Sequence, residues 1–137
     1  MTPFRHTNIA LDFDRTFTSD IEFWRYMIRM FTQRGHRVYI VTGRHDREDN
    51  RELVPRIMGA STYGLLSGIV FCNHSPKRDV MQARDIMIDI WIDDLPEMVG
   101  HNDQDVFRKL EAQQHVNETL PVFEPGAVDP DALWTPE

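Results

Sequence analysis

The chain is expected to fold as an α/β, Rossmann-like three-layer sandwich around a mostly parallel central sheet, and three observations carry that expectation. Four short apolar runs, NIALDF, VYIV, IVFC and IDIWI, alternate with longer stretches of helical spacing. The runs are apolar at successive positions, as strands covered on both faces require. Polar residues of chemical interest gather where the runs end, and sites in open parallel sheets form beyond the carboxyl ends of the strands.

The elements follow in order. Asn8–Phe13 reads as a buried strand that carries Asp12 near its end. Ser19 and Asp20 are good N-cap residues, and Ile21, Trp24, Ile28 and Phe31 recur at helical spacing until Gly35 supplies a stop. Val38–Val41 is β-branched and aromatic, predicts a second strand, and runs directly into Thr42-Gly43-Arg44. Asp46 to about Met58 has helical spacing with Leu53, Val54 and Ile57 inward, and Gly59–Gly68 reads as loop and turn. Ile69–Cys72 is a third strand, about Pro76 to Met87 a third helix, and Ile88–Ile92 a fourth strand ending in Asp93-Asp94. One more helix is expected around Asp103–His115. We expect a core over residues 1–117 and an acidic, proline-containing tail over 118–137.

Bulk properties narrow the function classes. At 137 residues the chain can bury one hydrophobic core, so any site must fit on a single main domain. No apolar run approaches the ~20 residues of a membrane span. The first residues, MTPFRHTNIALDFD, lack a basic segment followed by an apolar stretch, so no secretory leader is expected. With Cys72 alone no internal disulfide can form, and a cytoplasmic location is the natural expectation. The net charge of −7 lies wholly in residues 97–137, where 9 acids face only Arg108 and Lys109. Residues 1–96 balance, with 13 acids and 13 bases, so the chain lacks the broad basic footprint of a general nucleic-acid binder.

The chemistry-bearing residues sit at strand ends. Asp12 and Asp14 are two positions apart, so in extended chain both project to one side, roughly 7 Å apart. A solvated loop after a strand is the plain alternative, but here the pair follows a buried strand and precedes Thr16. Asp93-Asp94 closes another buried strand, although either residue could instead cap the next turn. If the two strand ends meet, three or four carboxylates converge and need protons or a cation. Hard oxygen ligands without a His or Cys set favour Mg²⁺. Lys77 stands out because the chain has 13 Arg and only two Lys. A compact ammonium at a helix start suits an aspartate and a phosphate, though a solvated helix face, with Arg78 serving instead, is the alternative. The Thr42 hydroxyl could bond a phosphoryl oxygen or simply close a turn. Arg44, Arg47 and Arg51 fall on one helical face and could hold a second phosphate, yet interleaved acids make an ion-paired surface the simpler reading. Trp24 and Trp91 fit core patterns, and no chemistry is assigned to His36, His45, His74 or His101.

Taken in order, Asp-x-Asp-x-Thr, then Thr after an apolar strand, then Lys, then Asp-Asp after another apolar strand, the chain resembles the haloacid dehalogenase phosphatase superfamily. LDFDRTFT, VYIVTGR, Lys77 and IWIDDLPE match its four motifs across residues 8–97. The resemblance implies that Asp12 attacks phosphorus to form an aspartyl-phosphate and that Asp14 moves the protons. It implies that Thr42 and Lys77 hold the phosphoryl group. It also implies that Asp12, the Asp14 backbone carbonyl and Asp93 bind Mg²⁺, assisted by Asp94. Arg15 departs from the small residue, often Gly, common at that position, and bears on the leaving-group pocket. Arg15, Thr16, Gly43 and Arg44 are candidate substrate contacts.

Only about 25 residues separate Thr16 from Thr42 and about 35 separate Thr42 from Lys77, which leaves no room for a cap domain. An open site suits a bulky phosphomonoester such as a polynucleotide end, or a small one such as a nucleotide enclosed by a neighbouring subunit of a homo-oligomer. The layout is similar to capless polynucleotide 3′-phosphatase domains. Two other classes stay open: a signalling receiver domain that accepts a phosphoryl group, and a catalytically silent binding protein on the same fold.

Overall fold

The protein is described from a computed structural model covering residues 5–100 and 110–111. Its elements are β1 (Asn8–Leu11), α1 (Ile21–Gln33), β2 (Arg37–Thr42), α2 (Glu48–Met58), α3 (Ala60–Tyr63), β3 (Gly68–Phe71), α4 (Lys77–Ala83) and β4 (Ile90–Ile92), with single 3-10 turns at Phe17–Ser19 and Pro96–Met98. All of them belong to one compact unit, Met1–Asn102. In the second unit, Asp103–Glu137, only Leu110 and Glu111 are described, and both are helical. The rest of the helix expected around Asp103–His115, the expected boundary between 117 and 118, and the tail lie outside the described residues.

All four strands are parallel, in the order β3-β2-β1-β4. Leu11 pairs with Ile40 on one side and with Ile92 on the other, so β1 is flanked by β2 and β4. Successive residues of a strand point to opposite faces, and the core divides accordingly. Leu11, Val38 and Ile40 pack with Ile28 of α1 and with Val54 and Met58 of α2. Ala10, Val41 and Val70 pack on the other face with Met81 of α4, Cys72 and Ile88. The sheet is therefore the middle of three layers, as the uninterrupted apolar runs required.

The change of face has a topological cause. The chain moves outward from β1 to β2 to β3, then returns across the sheet to place β4 on the far side of β1. Crossovers that keep a right-handed sense must switch faces when the direction reverses, and α4 packs on the face opposite α1 and α2. The reversal falls between the carboxyl ends of β1 and β4, where sites form in open parallel sheets and where Asp12 and Asp93 follow their strands.

Helix α1 begins and ends where its sequence signals stand. The Asp20 side chain accepts from the Phe23 N–H at 3.1 Å. At the other end Gly35, at φ 88°, lets the His36 N–H reach the Phe31 carbonyl at 3.0 Å, a helix-terminating pair that needs a left-handed residue. Other boundaries differ from expectation. The 59–68 segment contains α3, and the third long helix stops at Ala83 because Asp85 turns left-handed at φ 57°. β4 starts at Ile90, although the Asp89 N–H already donates to the Asn8 carbonyl at 2.8 Å. Between Thr16 and Lys77 every residue belongs to these elements or their connections, with no inserted cap domain. Among the described residues no helix is long and apolar enough to cross a membrane.

Candidate active site at the carboxyl ends of the strands

Asp12 extends β1 by one residue, its N–H donating to the Ile92 carbonyl at 2.9 Å. The loop that follows is pinned from below. Phe13 and Phe17 are fully buried and stack at 5.9 Å, while the Phe17 and Thr18 N–H groups return to the Asp12 and Phe13 carbonyls. Phe13 points into the core, so Asp12 and Asp14, one residue to either side, are left on the rim.

Lys77, the first residue of α4, brings the opposite charge. Its Nζ donates to Asp12 Oδ1 at 2.7 Å and to Asp93 Oδ2 at 2.5 Å, and the lysine is only 2% exposed. Position is fixed by lacing of the β2 and β3 loops, in which Asn73 N–H donates to the Arg44 carbonyl and His74 N–H to the Gly43 carbonyl. Asn73 and His74 adopt left-handed φ of 52° and 60° to make this connection. Such strain persists only where surrounding contacts impose it.

Asp94 completes the cluster through Thr16. The Thr16 hydroxyl lies 3.3 Å from both Asp12 Oδ2 and Asp94 Oδ1 and accepts from the Asp94 N–H at 3.2 Å. One hydroxyl hydrogen can serve only one of the two carboxylates at a time. Asp93 does two jobs: one oxygen meets Lys77 and the other caps the following turn by accepting from the Leu95 N–H at 2.9 Å.

Carboxylate oxygens of Asp12, Asp93 and Asp94 all lie within 4.8 Å of one another, so these three could hold a metal ion. Oxygens on one Mg²⁺ are at most about 4.2 Å apart, given bonds of about 2.1 Å. Cis oxygens would be closer still, at about 3.0 Å, so the three carboxylates would draw together around a bound ion, and the all-oxygen donor set suits a hard cation. The charge count points the same way, because one lysine faces three carboxylates. At 4.8 Å and an effective dielectric of 20, each like-charged pair repels by about 3 kcal/mol. Burial accordingly pushes the Asp12 carboxyl up to about 6; Lys77 opposes the rise, and Asp94 and Asp93 add to it. Burial also pulls Lys77 down, but its hydrogen bonds and charges with Asp12 and Asp93 outweigh that and keep the ammonium charged.

Neither known protein families, nor curated proteins, nor solved structures yield a match to this chain.

The remaining candidates form a second layer beside the cluster. Asp14 is outside the carboxylate group and is gripped by Arg44, whose Nε and Nη2 donate to its two oxygens at 2.8 Å each. Thr42 is fully buried and its hydroxyl accepts from the Arg44 N–H at 3.2 Å. Gly43 is half-buried, and a methyl group there would meet only Met98 and His74 at ordinary contact distance. Arg15 is exposed, with φ 63°. The backbone there is one that glycine adopts most readily, and nothing in the structure explains the arginine.

Two features escaped the sequence reading. Asn50, buried in α2, accepts from Arg44 Nη1 at 3.0 Å and donates to the His45 carbonyl at 2.8 Å. His45 and His74 meet edge to face at 4.6 Å beside Gly43. Neither has a sequence signal: Asn50 reads as an ordinary polar residue of the helix although it binds the turn five and six residues before it, and His74 reaches His45 only when the loops after β2 and β3 meet.

Proposed function

We propose that the chain is a Mg²⁺-dependent phosphomonoesterase of the haloacid dehalogenase type, working through an aspartyl-phosphate on Asp12 and acting on a nucleotide or a polynucleotide-end phosphate. The observation that carries this reading is the buried Asp12–Lys77–Asp93 bridge beside Asp94, set at the strand ends where the strand order reverses.

Asp12 is suited to attack because its carboxylate is fixed by Lys77 on one oxygen and by Thr16 near the other. Lys77, within hydrogen-bond reach of the nucleophile, would remain beside a phosphoryl group once it is joined to Asp12, and the Thr42 hydroxyl would share that task. Asp14 would give a proton to the leaving oxygen and then take one from water, dividing hydrolysis into two easier steps. Asp12, Asp93, Asp94 and the Asp14 carbonyl would hold Mg²⁺, which when bound offsets charge on the phosphoryl oxygens. Lacking a cap, the site suits a large substrate or one covered by a second subunit.

A receiver domain fits less well. Receivers order their strands 2-1-3-4-5, with β3 beside β1, whereas here β3 lies beside β2. The test is phosphate release from p-nitrophenyl phosphate, nucleotides and 3′- or 5′-phosphorylated oligonucleotides, with Mg²⁺ or EDTA, for wild type and Asp12→Asn. Activity that requires both Mg²⁺ and Asp12 is expected. A folded protein inactive on every ester, or one stably phosphorylated by acetyl phosphate without turnover, would overturn the proposal.

A further inference from the structure

We propose that Arg44 is the positioning residue of Asp14, holding its ionised carboxylate ready to take the proton of the attacking water in the second half-reaction; this rests on the phosphomonoesterase reading above. In the first half-reaction a bond forms between an Asp12 oxygen and phosphorus, the bond to the leaving oxygen breaks, and that oxygen takes its proton from Asp14. In the second, water attacks phosphorus, Asp14 takes the water's proton, and the bond to Asp12 breaks. Asp14 enters the second step as a carboxylate, the form in which both its oxygens accept from Arg44. Its side chain is 48% exposed and would otherwise rotate freely in solvent.

Arg44 differs from an ordinary surface partner in being immobilised on every side. Two of its nitrogens hold both Asp14 oxygens at 2.8 Å, the fork-to-fork geometry that fixes orientation as well as distance. A third nitrogen is held by Asn50, which is itself buried and bonded to the His45 carbonyl. The guanidinium lies 5.5 Å over the ring of Phe13, the fully buried residue between Asp12 and Asp14. Its backbone N–H binds Thr42 and its carbonyl accepts from Asn73. The nucleophile loop and the loop after β2 are thus held in register through Arg44. An ammonium would lack the fork, so lysine is not an equivalent here.

The discriminating experiment uses a substrate that needs no proton on departure. With dinitrophenyl phosphate, stopped-flow release of the phenolate reports phosphorylation of Asp12, while steady-state turnover reports hydrolysis of the aspartyl-phosphate. With an alkyl phosphate both steps need Asp14. For Arg44→Gln the expected result is a phenolate burst within about 3-fold of wild type, turnover slowed on the order of 100-fold, and acid-stable phosphoprotein accumulating. Arg44→Lys should fail to rescue, and Asn50→Ala, which leaves the fork in place but frees its anchor, should slow turnover about 10-fold. In an Asp14→Asn background, Arg44→Gln should add nothing further. A burst that falls together with turnover, an increase in KM at unchanged kcat, or full additivity with Asp14→Asn would overturn the positioning role. Absence of Asp12-dependent activity in the wild type would instead remove the phosphomonoesterase reading, and the inference with it.

Discussion

Asp12→Asn should make the protein more stable while abolishing the phosphatase activity proposed above, and the size of the gain follows from the site. A carboxyl raised from 3.8 to about 6 prefers its neutral form in the folded state. The stability linked to it is fully present below the unfolded value, is lost as pH rises from about 4 to about 6, and stays lost above. The rise corresponds to about 3 kcal/mol. Asparagine resembles the neutral carboxyl in shape and can still accept from Lys77, so Asp12→Asn should gain about 2–3 kcal/mol at pH 8 and nearly nothing at pH 4. Urea unfolding of both proteins in EDTA across that range measures the difference. Mg²⁺ should narrow it, because the cation stabilises only the protein that retains all three carboxylates; at ten times its Kd the contribution is about 1.4 kcal/mol. Equal midpoints at pH 8 without Mg²⁺, or an advantage that does not change between pH 4 and pH 8, would refute the placement of a strained, buried charge at Asp12.

Three further outcomes are expected. Lys77→Met leaves Asp12 and Asp93 uncompensated and should cost about 3–5 kcal/mol at pH 8, less at pH 5 where Asp12 can protonate, as read from denaturant midpoints. Arg15→Gly relieves a left-handed backbone and should raise the thermal midpoint by a few degrees, about 0.5–1 kcal/mol, as measured by calorimetry. Asp20→Ala removes the cap at the start of α1 and should cost about 1 kcal/mol in the same measurement.

Much of the architecture was legible because its causes are local. Runs such as IVFC are apolar on both sides, so they could only be covered strands, and the parallel sheet followed. Asp12, Asp93 and Asp94 were visible because polar residues immediately beyond buried strands lie at the rim, and Lys77 because it is one of only two lysines beside 13 arginines. The short α3 was not, since Gly59 and Gly64 read as turn signals and four residues carry no helical period. It follows a turn held from elsewhere, with Arg25 of α1 donating to the Ile57 and Met58 carbonyls. The end of α4 was obscured because Asp85 takes a left-handed conformation without being glycine. The Arg44–Asp14 fork was invisible for a related reason: the partners are 30 residues apart, and only the docking of β1 against β2 brings their loops together.

The position of β1 between β2 and β4 also sets the order in which the chain can be completed as it is synthesised. The partners of Asp12 arrive late, Lys77 after 65 further residues and the Ile92 carbonyl after 80. Until β4 emerges, β1 presents an open edge of unpaired backbone groups, the kind of surface on which strands of other chains add. Contacts of such long sequence separation also form slowly. A nascent chain ending before Ile90 would therefore carry an apolar edge and an uncompensated aspartate together, a natural target for chaperone capture.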